Sequence, residues 1–269
     1  MLLITASSAA APPQRIMSVN LCTDQLLLEL VPPERIVSVS SLARDCEISM
    51  HCKTAASMPI NYGSAEEVVA GQPDLVLAGM YTARPAVLTA RKGGVPVREM
   101  SPGTSFDEVR AQIRELAAAV GEVDRGEALI GRFDQRLAEI PAVANPRPLA
   151  AVYQTNGYTV GRHSLIDAAL TAAGFENLAS RLDIDHYPFV PMEMLVTYQP
   201  DVLVLDTPNL RYPSLGDDML HHPVLAKTFR QARQARLEHR QWICPGPAVA
   251  DAVAELARVR VEVQQQKQP

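Results

Sequence analysis

One short pattern occurs twice in this chain and constrains its fold more than any other feature. The segments EEVVAGQPDLVLA, from Glu66, and EMLVTYQPDVLVL, from Glu193, share a glutamate, six residues, Pro-Asp and a run of β-prone apolar residues. Proline ends a helix, aspartate hydrogen-bonds locally in turns, and an all-apolar strand indicates burial on both faces. The repeat predicts two similar units of helix, tight turn and buried strand, although such junctions also arise by chance in parallel α/β proteins.

Apolar runs of about five residues alternate with longer segments of helical period along the chain, which is typical of parallel sheets with helical crossovers. Thr23 or Asp24 is expected to cap the first helix, while Ser64 and Glu67 have the spacing of a capping box. A long polar helix is expected around PVLAKTFRQARQ and a terminal helix from Ala248. The expected strands are RIMSV, RIVSVS, DLVLAG and VPVREM, then LAAVYQ, DVLVLD and RQWIC.

A helical stretch divides the alternating pattern into two halves. The segment from Phe106 to Ile140 contains only amphipathic helix, interrupted at Gly121, and the proline-rich PAVANPRP follows it. The 269 residues suffice for two cores of modest size. We therefore expect a tail over 1–14, an N-terminal α/β lobe over 15–122, an interlobe helix over 123–141 and a C-terminal α/β lobe over 142–269.

Charge and the first residues bear on partners and compartment. A net charge of −5 and an aromatic content of 5% provide neither the basic field nor the stacking surface that nucleic acids require. MLLITASSAAAPPQ has the apolar start and small residues of the end of a secretory signal, with an ordinary disordered tail as the alternative. Export would place the four cysteines in an oxidising compartment.

The cysteines leave several interpretations open. Cys46 and Cys52 are compatible with a local disulfide, with free thiols, or with a copper or zinc site that also uses Met50 and His51. Cys22 and Cys244 both follow expected strands, so they are expected to approach each other at one sheet edge. Whether they bond is left undecided by the sequence.

Six stretches in this order resemble the class III, or helical-backbone, periplasmic substrate-binding proteins of ABC importers for iron-siderophore, haem and cobalamin. The stretches are RIMSVNLCTDQLLLEL, RIVSVS, EEVVAGQPDLVLAG, the long helix to Ile140, GRHSLIDAALTAAGFEN and EMLVTYQPDVLVLD. The resemblance implies two Rossmann-like lobes with parallel sheets, joined by a single long α-helix, with a ligand cleft between them. We expect a periplasmic monomer without a resident cofactor, whose partners are a small metal chelate and an importer permease.

The loops after the carboxyl ends of the strands are the expected lining of that cleft, since ligands collect there in open parallel sheets. Their arginines favour an anionic ferric siderophore ahead of cobalamin or haem, and their tyrosines suit any of the three. His186 and Tyr187 are either iron ligands or an ordinary surface loop. The candidate ligand-binding residues are Cys22, Arg44, Tyr81, Arg84, Tyr158, Arg162, His186, Tyr187, Arg211, Tyr212 and Cys244.

Glu66 and Glu193 open the two copies of the repeat. A carboxylate in the first turn of a helix complements the positive helix end, which is one explanation for both residues. The resemblance implies another, in which one acidic residue on each lobe docks on arginines of the permease, with Glu67 as a rival for the first site.

An enzyme is the alternative functional class. A two-lobed metallocluster or chelatase-like enzyme needs convergent cysteine or histidine ligands in the cleft, and only Cys22, Cys244 and His186 are available there. The chain has no GxSxG elbow, no GxxxxGK[ST] phosphate loop and no GxGxxG after its first strand. A binding protein is therefore the preferred interpretation.

Overall fold

A computed structural model describes residues 11–82, 84–143, 145–185, 188–206, 222–228 and 234–267. Strands and helices alternate through both halves of this part of the chain. The strands are β1 (Ile16–Ser18), β2 (Ile36–Ser40), β3 (Ile60–Asn61), β4 (Leu75–Gly79), β5 (Val97–Met100), β6 (Leu149–Tyr153), β7 (Glu176–Asn177), β8 (Val202–Asp206) and β9 (Gln234–Leu237). The helices are α1 (Leu21–Leu30), α2 (Cys52–Ala55), α3 (Ala65–Gly71), α4 (Arg84–Lys92), α5 (Phe106–Val120), α6 (Val123–Ala138), α7 (Leu165–Ala173), α8 (Leu178–Arg181), α9 (Met192–Tyr198), α10 (Pro223–Thr228) and α11 (Val249–Lys267).

The strands form two parallel sheets, one in each half of the chain. The first sheet has the order β3-β2-β1-β4-β5 and the second the order β7-β6-β8-β9. In each sheet the order reverses beside its first strand, between β1 and β4 and between β6 and β8. The expected α/β architecture of two lobes is confirmed.

The repeated segment folds identically in the two lobes. Gln72 and Gln199 end α3 and α9 in the left-handed conformation, each with φ 44°, and the proline that follows is buried. The sequence predicted a bond within the turn for this aspartate, whereas in both copies the structure shows a bond to a segment that is distant in sequence. Asp74 accepts from the amides of Gln14 and Arg15, and Asp201 accepts from the amide of Leu149, so each aspartate holds the entry to the neighbouring first strand.

Helix caps are set by short polar side chains. Ser64 and Glu67 form the predicted capping box at the start of α3. The prediction for α1 was wrong, because Asn20 rather than Thr23 or Asp24 accepts from the first free amides of that helix. Asp24 is instead buried below the sheet edge.

Helix α6 connects the two lobes within one continuous core. Gly121, at φ 76°, ends α5, and α6 begins two residues later. The main apolar cluster includes residues of both lobes, such as Ile16 and Val152, and also Phe133 of α6 and Leu256 of α11. The separate cores expected from chain length are therefore fused along the helical side of the molecule.

Two predictions in the C-terminal half were wrong. RQWIC is not a strand, since the last strand is Gln234–Leu237 and His239–Gln241 form a short 3-10 turn. The long polar helix was also expected to reach Gln234, but Gln234 begins β9; the structure describes helix α10 over Pro223–Thr228. Within the described residues, no helix is long and apolar enough to cross a bilayer.

Candidate functional site

A cavity of about 230 Å³ lies where the strand order of the first sheet reverses. The chain leaves β1 through Asn20 and leaves β4 through Gly79 to Thr82, and both exits line this cavity. The Asn20 side chain donates to Thr82 Oγ1 at 3.1 Å while its oxygen caps α1. One asparagine therefore joins the two loops of the reversal point, where open parallel sheets bind ligands.

The second lobe closes the opposite side of this cavity. Leu165 and Ile166 come from the first turn of α7, and Trp242, Ile243 and Pro245 come from the segment between β9 and α11. Most of this wall is apolar, and Trp242 is the only tryptophan of the chain. The cavity is therefore an interlobe cleft with polar loops on one side and an apolar wall on the other.

A buried polar network supports the first-lobe loops. Asp24 accepts from the amide of Ser40 at 3.1 Å and from its hydroxyl, and Ser18 and Thr23 share a hydrogen bond of 2.8 Å. Asn61 donates to the Ser18 carbonyl at 2.9 Å. Burial raises the pKa of Asp24 to about 7, although the bonds from serines oppose the rise. The network fixes the ends of β1, β2 and β3 relative to each other.

Two segments pair along the rim of the second lobe. Tyr158 and Phe189 form an antiparallel bridge, and Arg162 and Asp185 form a parallel one. Tyr158 and Phe189 keep 47% and 57% of their surface exposed. The rim thus presents aromatic side chains from a hydrogen-bonded backbone.

The three described candidate arginines are engaged within the protein. Arg162 binds Asp185 through Nε at 2.9 Å and also pairs with Asp183, and the Asp185 bonds raise the pKa of its guanidinium. Arg84 pairs with Glu99 at 2.7 Å. Arg44 donates to the carbonyls of Ala55 and Met58, which closes its own loop.

The remaining candidates are distributed unevenly around the cleft. Tyr81 lines the cavity and is 75% exposed, and Cys22 lines it from the first turn of α1. Tyr158 is not among the described residues that line it. His186, Tyr187, Arg211 and Tyr212 lie outside the described residues.

All four cysteines form disulfides. Cys46 is bonded to Cys52 within the first lobe, which is one of the three interpretations that the sequence allowed. Cys22 is bonded to Cys244 of the second lobe. Among the described residues no group of three or more histidine, cysteine or acidic side chains is placed to hold a metal ion. The thiols are therefore not available as ligands in this state.

A second cavity of about 330 Å³ lies behind the disulfide between Cys22 and Cys244. Its apolar lining includes Leu26 of α1 and Phe133 of α6. Polar pairs surround it, with His51 Nε2 at 3.2 Å from Glu29 and the salt bridge of Arg136 to Asp251 at 3.2 Å. The disulfide separates this rear cavity from the cleft.

The two glutamates of the repeat occupy equivalent positions. Glu66 in α3 and Glu193 in α9 are both exposed; α3 is capped by Ser64 and Glu67 instead, and the N-cap residue of α9, Pro191, makes no side-chain capping bond. One helical turn later, Val69 and Val196 are exposed by 66% and 37%. Each lobe therefore presents a carboxylate beside an apolar side chain.

Several residues of the cleft were missed by the sequence interpretation. Trp242 and Ile243 were assigned to a strand, and Leu165 and Ile166 were taken only as helix residues. A helix that follows a parallel strand begins at the carboxyl edge of the sheet, so the start of α7 was the available signal. No comparable signal marked Trp242.

Comparison with known proteins places this architecture in a family. A family model described as periplasmic binding protein matches residues 16–236. A cobalamin-binding protein of Halobacterium salinarum is 27% identical over 205 residues, which are 74% of this chain and 56% of that protein. The chain therefore spans little more than half the length of this curated relative.

Solved structures share the fold over nearly the whole chain. The periplasmic heme-binding protein RhuT from Roseiflexus sp. RS-1, in apo form, superimposes with a TM-score of 0.74 at 25% identity, covering 92% of this chain and 99% of that one. The periplasmic vitamin B12 binding protein BtuF of Vibrio cholerae gives 0.70 at 18% identity, covering 95% and 99%. Both neighbours are substrate-binding proteins rather than enzymes, and this chain belongs to the periplasmic binding protein family.

Proposed function

We propose that this protein is an exported solute-binding protein that holds a corrinoid in its interlobe cleft and delivers it to an ABC importer. The observation that carries the choice of ligand is the state of the arginines. Arg84 and Arg162 already pair with carboxylates, and Arg44 is bonded to backbone carbonyls. Carboxylates therefore offset the charges of Arg84 and Arg162, while the backbone carbonyls occupy the donors of Arg44 without neutralising its charge.

This charge balance argues against the anionic ferric siderophore that the sequence favoured. An anionic chelate would have to compete with Glu99 for Arg84 and with Asp183 and Asp185 for Arg162. Arg162 lies between two carboxylates and so offers an anion no net positive charge, although Glu99 is shared between Arg84 and Arg91. The charges of the described loop residues therefore favour a ligand with an uncharged periphery.

A corrinoid has that periphery, since the ring carries neutral amide groups that donate and accept hydrogen bonds. Amides and hydroxyls both donate to and accept from amides, and Asn20 and Thr82 at the cleft provide one of each. The exposed ring of Tyr81 and the apolar wall with Trp242 suit the faces of a macrocycle. Haem shares the flat face but carries two anionic propionates.

The relatives support this choice in part. The archaeal relative is a cobalamin-binding protein, and the Roseiflexus structure is a heme-binding protein. Both ligands are tetrapyrroles, so these relatives favour a macrocycle over a siderophore. The paired arginines then favour the corrinoid over haem.

The only tryptophan provides a direct assay, because corrinoids and haem absorb where indole emits. Titration with cyanocobalamin should quench Trp242 emission to saturation at one equivalent, with calorimetry giving the same affinity. Haemin and a ferric hydroxamate should bind at least about 100-fold more weakly, or about 2.7 kcal/mol. Tighter binding of either competitor would overturn the choice of ligand.

A pair of tyrosine variants tests whether the ligand binds in the cleft. Tyr81→Ala should weaken cyanocobalamin binding about 10-fold, because an exposed ring at the cavity loses its contact. Tyr198→Ala is the matched control, since Tyr198 is 40% exposed at the end of α9, next to the opposite edge of its sheet. Equal affinities of the two variants would contradict binding in the cleft.

The docking role of Glu66 and Glu193 is part of the proposal. Both carboxylates are exposed at equivalent places on the two lobes, which suits cationic groups on a permease of matching pseudo-symmetry. In a reconstituted importer, Glu66→Ala and Glu193→Ala should each lower transport and leave ligand affinity unchanged. Glu115→Ala, an exposed site on α5, is the control. Transport by both variants at the rate of the control would argue against docking.

A further inference from the structure

One covalent bond joins the lobes at the floor of the cleft. Cys22 lies in the first turn of α1 in the first lobe, and Cys244 lies between β9 and α11 in the second. The two residues are separated by 222 positions in sequence, with Cα atoms 5.2 Å apart. Besides α6, this disulfide is a second covalent connection between the halves of the described chain.

The bond forms part of the wall of the cleft. Cys22 lines the cleft cavity, and so do Ile243 and Pro245 on either side of Cys244. Both cysteines also line the rear cavity. The disulfide therefore fixes the segment that carries Trp242 and Pro245 against the helix that starts at the first-lobe loops.

A close contact beside the disulfide shows that the lobes already touch. A Cβ atom at Gly103 would lie 2.7 Å from Cβ of Pro245, so only glycine fits at this position of the first lobe. Gly103 and Pro245 both line the cleft. The disulfide and this contact hold the same point of the interlobe boundary.

We propose that the Cys22–Cys244 disulfide is a positioning device that sets the width of the ligand cleft. A single helix permits some rocking of the lobes it joins, whereas two connections at separate points restrict it. A cleft that is held at its binding width loses less conformational freedom when a ligand enters. This inference rests on the proposed function, because it assigns the bond a role in ligand binding.

The second disulfide gives a matched control. Cys46–Cys52 closes a short loop within the first lobe. Arg240 of the second lobe donates a hydrogen bond of 3.3 Å to the backbone carbonyl of Cys46. Substitution of the cysteine side chain leaves this carbonyl in place. Cys22→Ala/Cys244→Ala and Cys46→Ala/Cys52→Ala therefore each remove one bond, but only the first pair frees the lobes.

The width of the cleft is measured without any ligand. Spin labels on a genetically encoded keto amino acid at positions 69 and 196, which are exposed and equivalent on the two lobes, report the interlobe distance by pulsed EPR. We expect a distribution at least about twice as broad in Cys22→Ala/Cys244→Ala, and a wild-type distribution in Cys46→Ala/Cys52→Ala. An unchanged distribution in the first variant would overturn the proposal, whichever ligand the protein binds.

The ligand measurement is separate from the distance measurement. Stopped-flow quenching of Trp242 should show cyanocobalamin leaving Cys22→Ala/Cys244→Ala at least about ten times faster than wild type or the control variant. An equal dissociation rate would contradict the positioning role. If wild type binds none of the three chelates but the distances broaden, the proposed ligand fails while the interlobe restraint stands.

A second variant serves if the first does not fold. Gly103→Ala keeps both disulfides and adds a methyl group that presses on Pro245, which the bond at Cys244 prevents from retreating. We expect its cyanocobalamin affinity to fall at least about tenfold. Wild-type affinity in Gly103→Ala would show that the boundary yields freely, against the proposal.

Discussion

The two lobes resemble each other at the amino ends of their repeated strands and differ at the carboxyl ends. Each lobe places a glutamine at φ 44°, a buried proline and an aspartate that holds the neighbouring first strand. At the cleft edge the first lobe has a buried network around Asp24, whereas the second has a paired rim with Arg162 and two aspartates. The repeat therefore sets the fold, and the ligand edge is where the copies have diverged.

Among the described residues, the first sheet has one more strand than the second. In the first lobe β2 lies between β1 and β3, while in the second β7 pairs directly with β6. The edge strands nevertheless end alike, since Asn61 and Asn177 are both buried and both accept from the amide two residues later. Strand β2 ends at Ser40, and the amide of Ser40 donates to the buried Asp24.

The largest effect on stability is expected from removal of the two disulfides, one of which joins the lobes while the other lies within the first lobe. Removing Cys22–Cys244 should lower the free energy of unfolding by about 5 kcal/mol, and removing Cys46–Cys52 by about 2 kcal/mol, because the first closes a much longer loop. Guanidinium titrations of the two alanine double variants measure both values. Equal losses would mean that loop length does not govern the restraint between lobes.

Asp24 makes the stability of the first lobe depend on pH. Its carboxyl has a pKa of about 7 in the folded protein against 3.8 ordinarily, so between these values the folded state retains a proton that the unfolded state releases. Stability is therefore highest below pH 4 for this group and falls by up to about 4 kcal/mol as pH rises to 7. Urea titrations at several pH values measure the slope.

Asp24→Asn isolates this contribution. The amide oxygen still accepts from the Ser40 amide, and the amide nitrogen donates to the Ser40 hydroxyl in place of the bond that the serine gives to aspartate. The variant should gain stability relative to wild type as pH rises from 4 to 8. A difference between the two proteins that is constant with pH would show that Asp24 does not retain its proton in the folded state.

The fold was largely predictable because its signals are local in sequence. Buried central strands appear as continuous apolar runs, as in DLVLAG, and capping boxes have a fixed spacing, as at Ser64 and Glu67. The last strand was not predicted, because it lies at the sheet edge and buries only alternate residues of QARL. RQWIC was predicted instead because it has the apolar residues of a strand, but it forms turns.

The site was less predictable because its contacts are distant in sequence. Asn20 bonds to Thr82, 62 positions away, and Cys22 bonds to a cysteine 222 positions away. Arg162 was expected to offer its charge to a ligand, but it meets Asp183 and Asp185 through the pairing of the second-lobe rim. Spacing along the chain carries no information on such partners.

Substitution of the two repeat aspartates compares the junctions directly. Asp74→Ala removes acceptors from two amides, at 2.7 and 2.9 Å, and should cost about 2 kcal/mol of unfolding free energy. Asp201→Ala removes the acceptor of the Leu149 amide at 2.9 Å and should cost about 1 kcal/mol. Thermal unfolding of both variants measures which one loses more stability. A larger loss of unfolding free energy in Asp201→Ala would contradict the prediction.

The smallest expected effect concerns the glutamines that end α3 and α9. A side chain in the left-handed region costs about 1 kcal/mol that glycine avoids, although glycine loses more freedom on folding. Gln72→Gly and Gln199→Gly should therefore each raise the free energy of unfolding by about 0.5 kcal/mol. Gln135→Gly, at an exposed position inside α6, should lower it by about 0.7 kcal/mol and is the control. Because φ is 44° at both glutamines, the two gains should be equal, and a gain in only one lobe would show that the repeated junctions are not under the same backbone constraint.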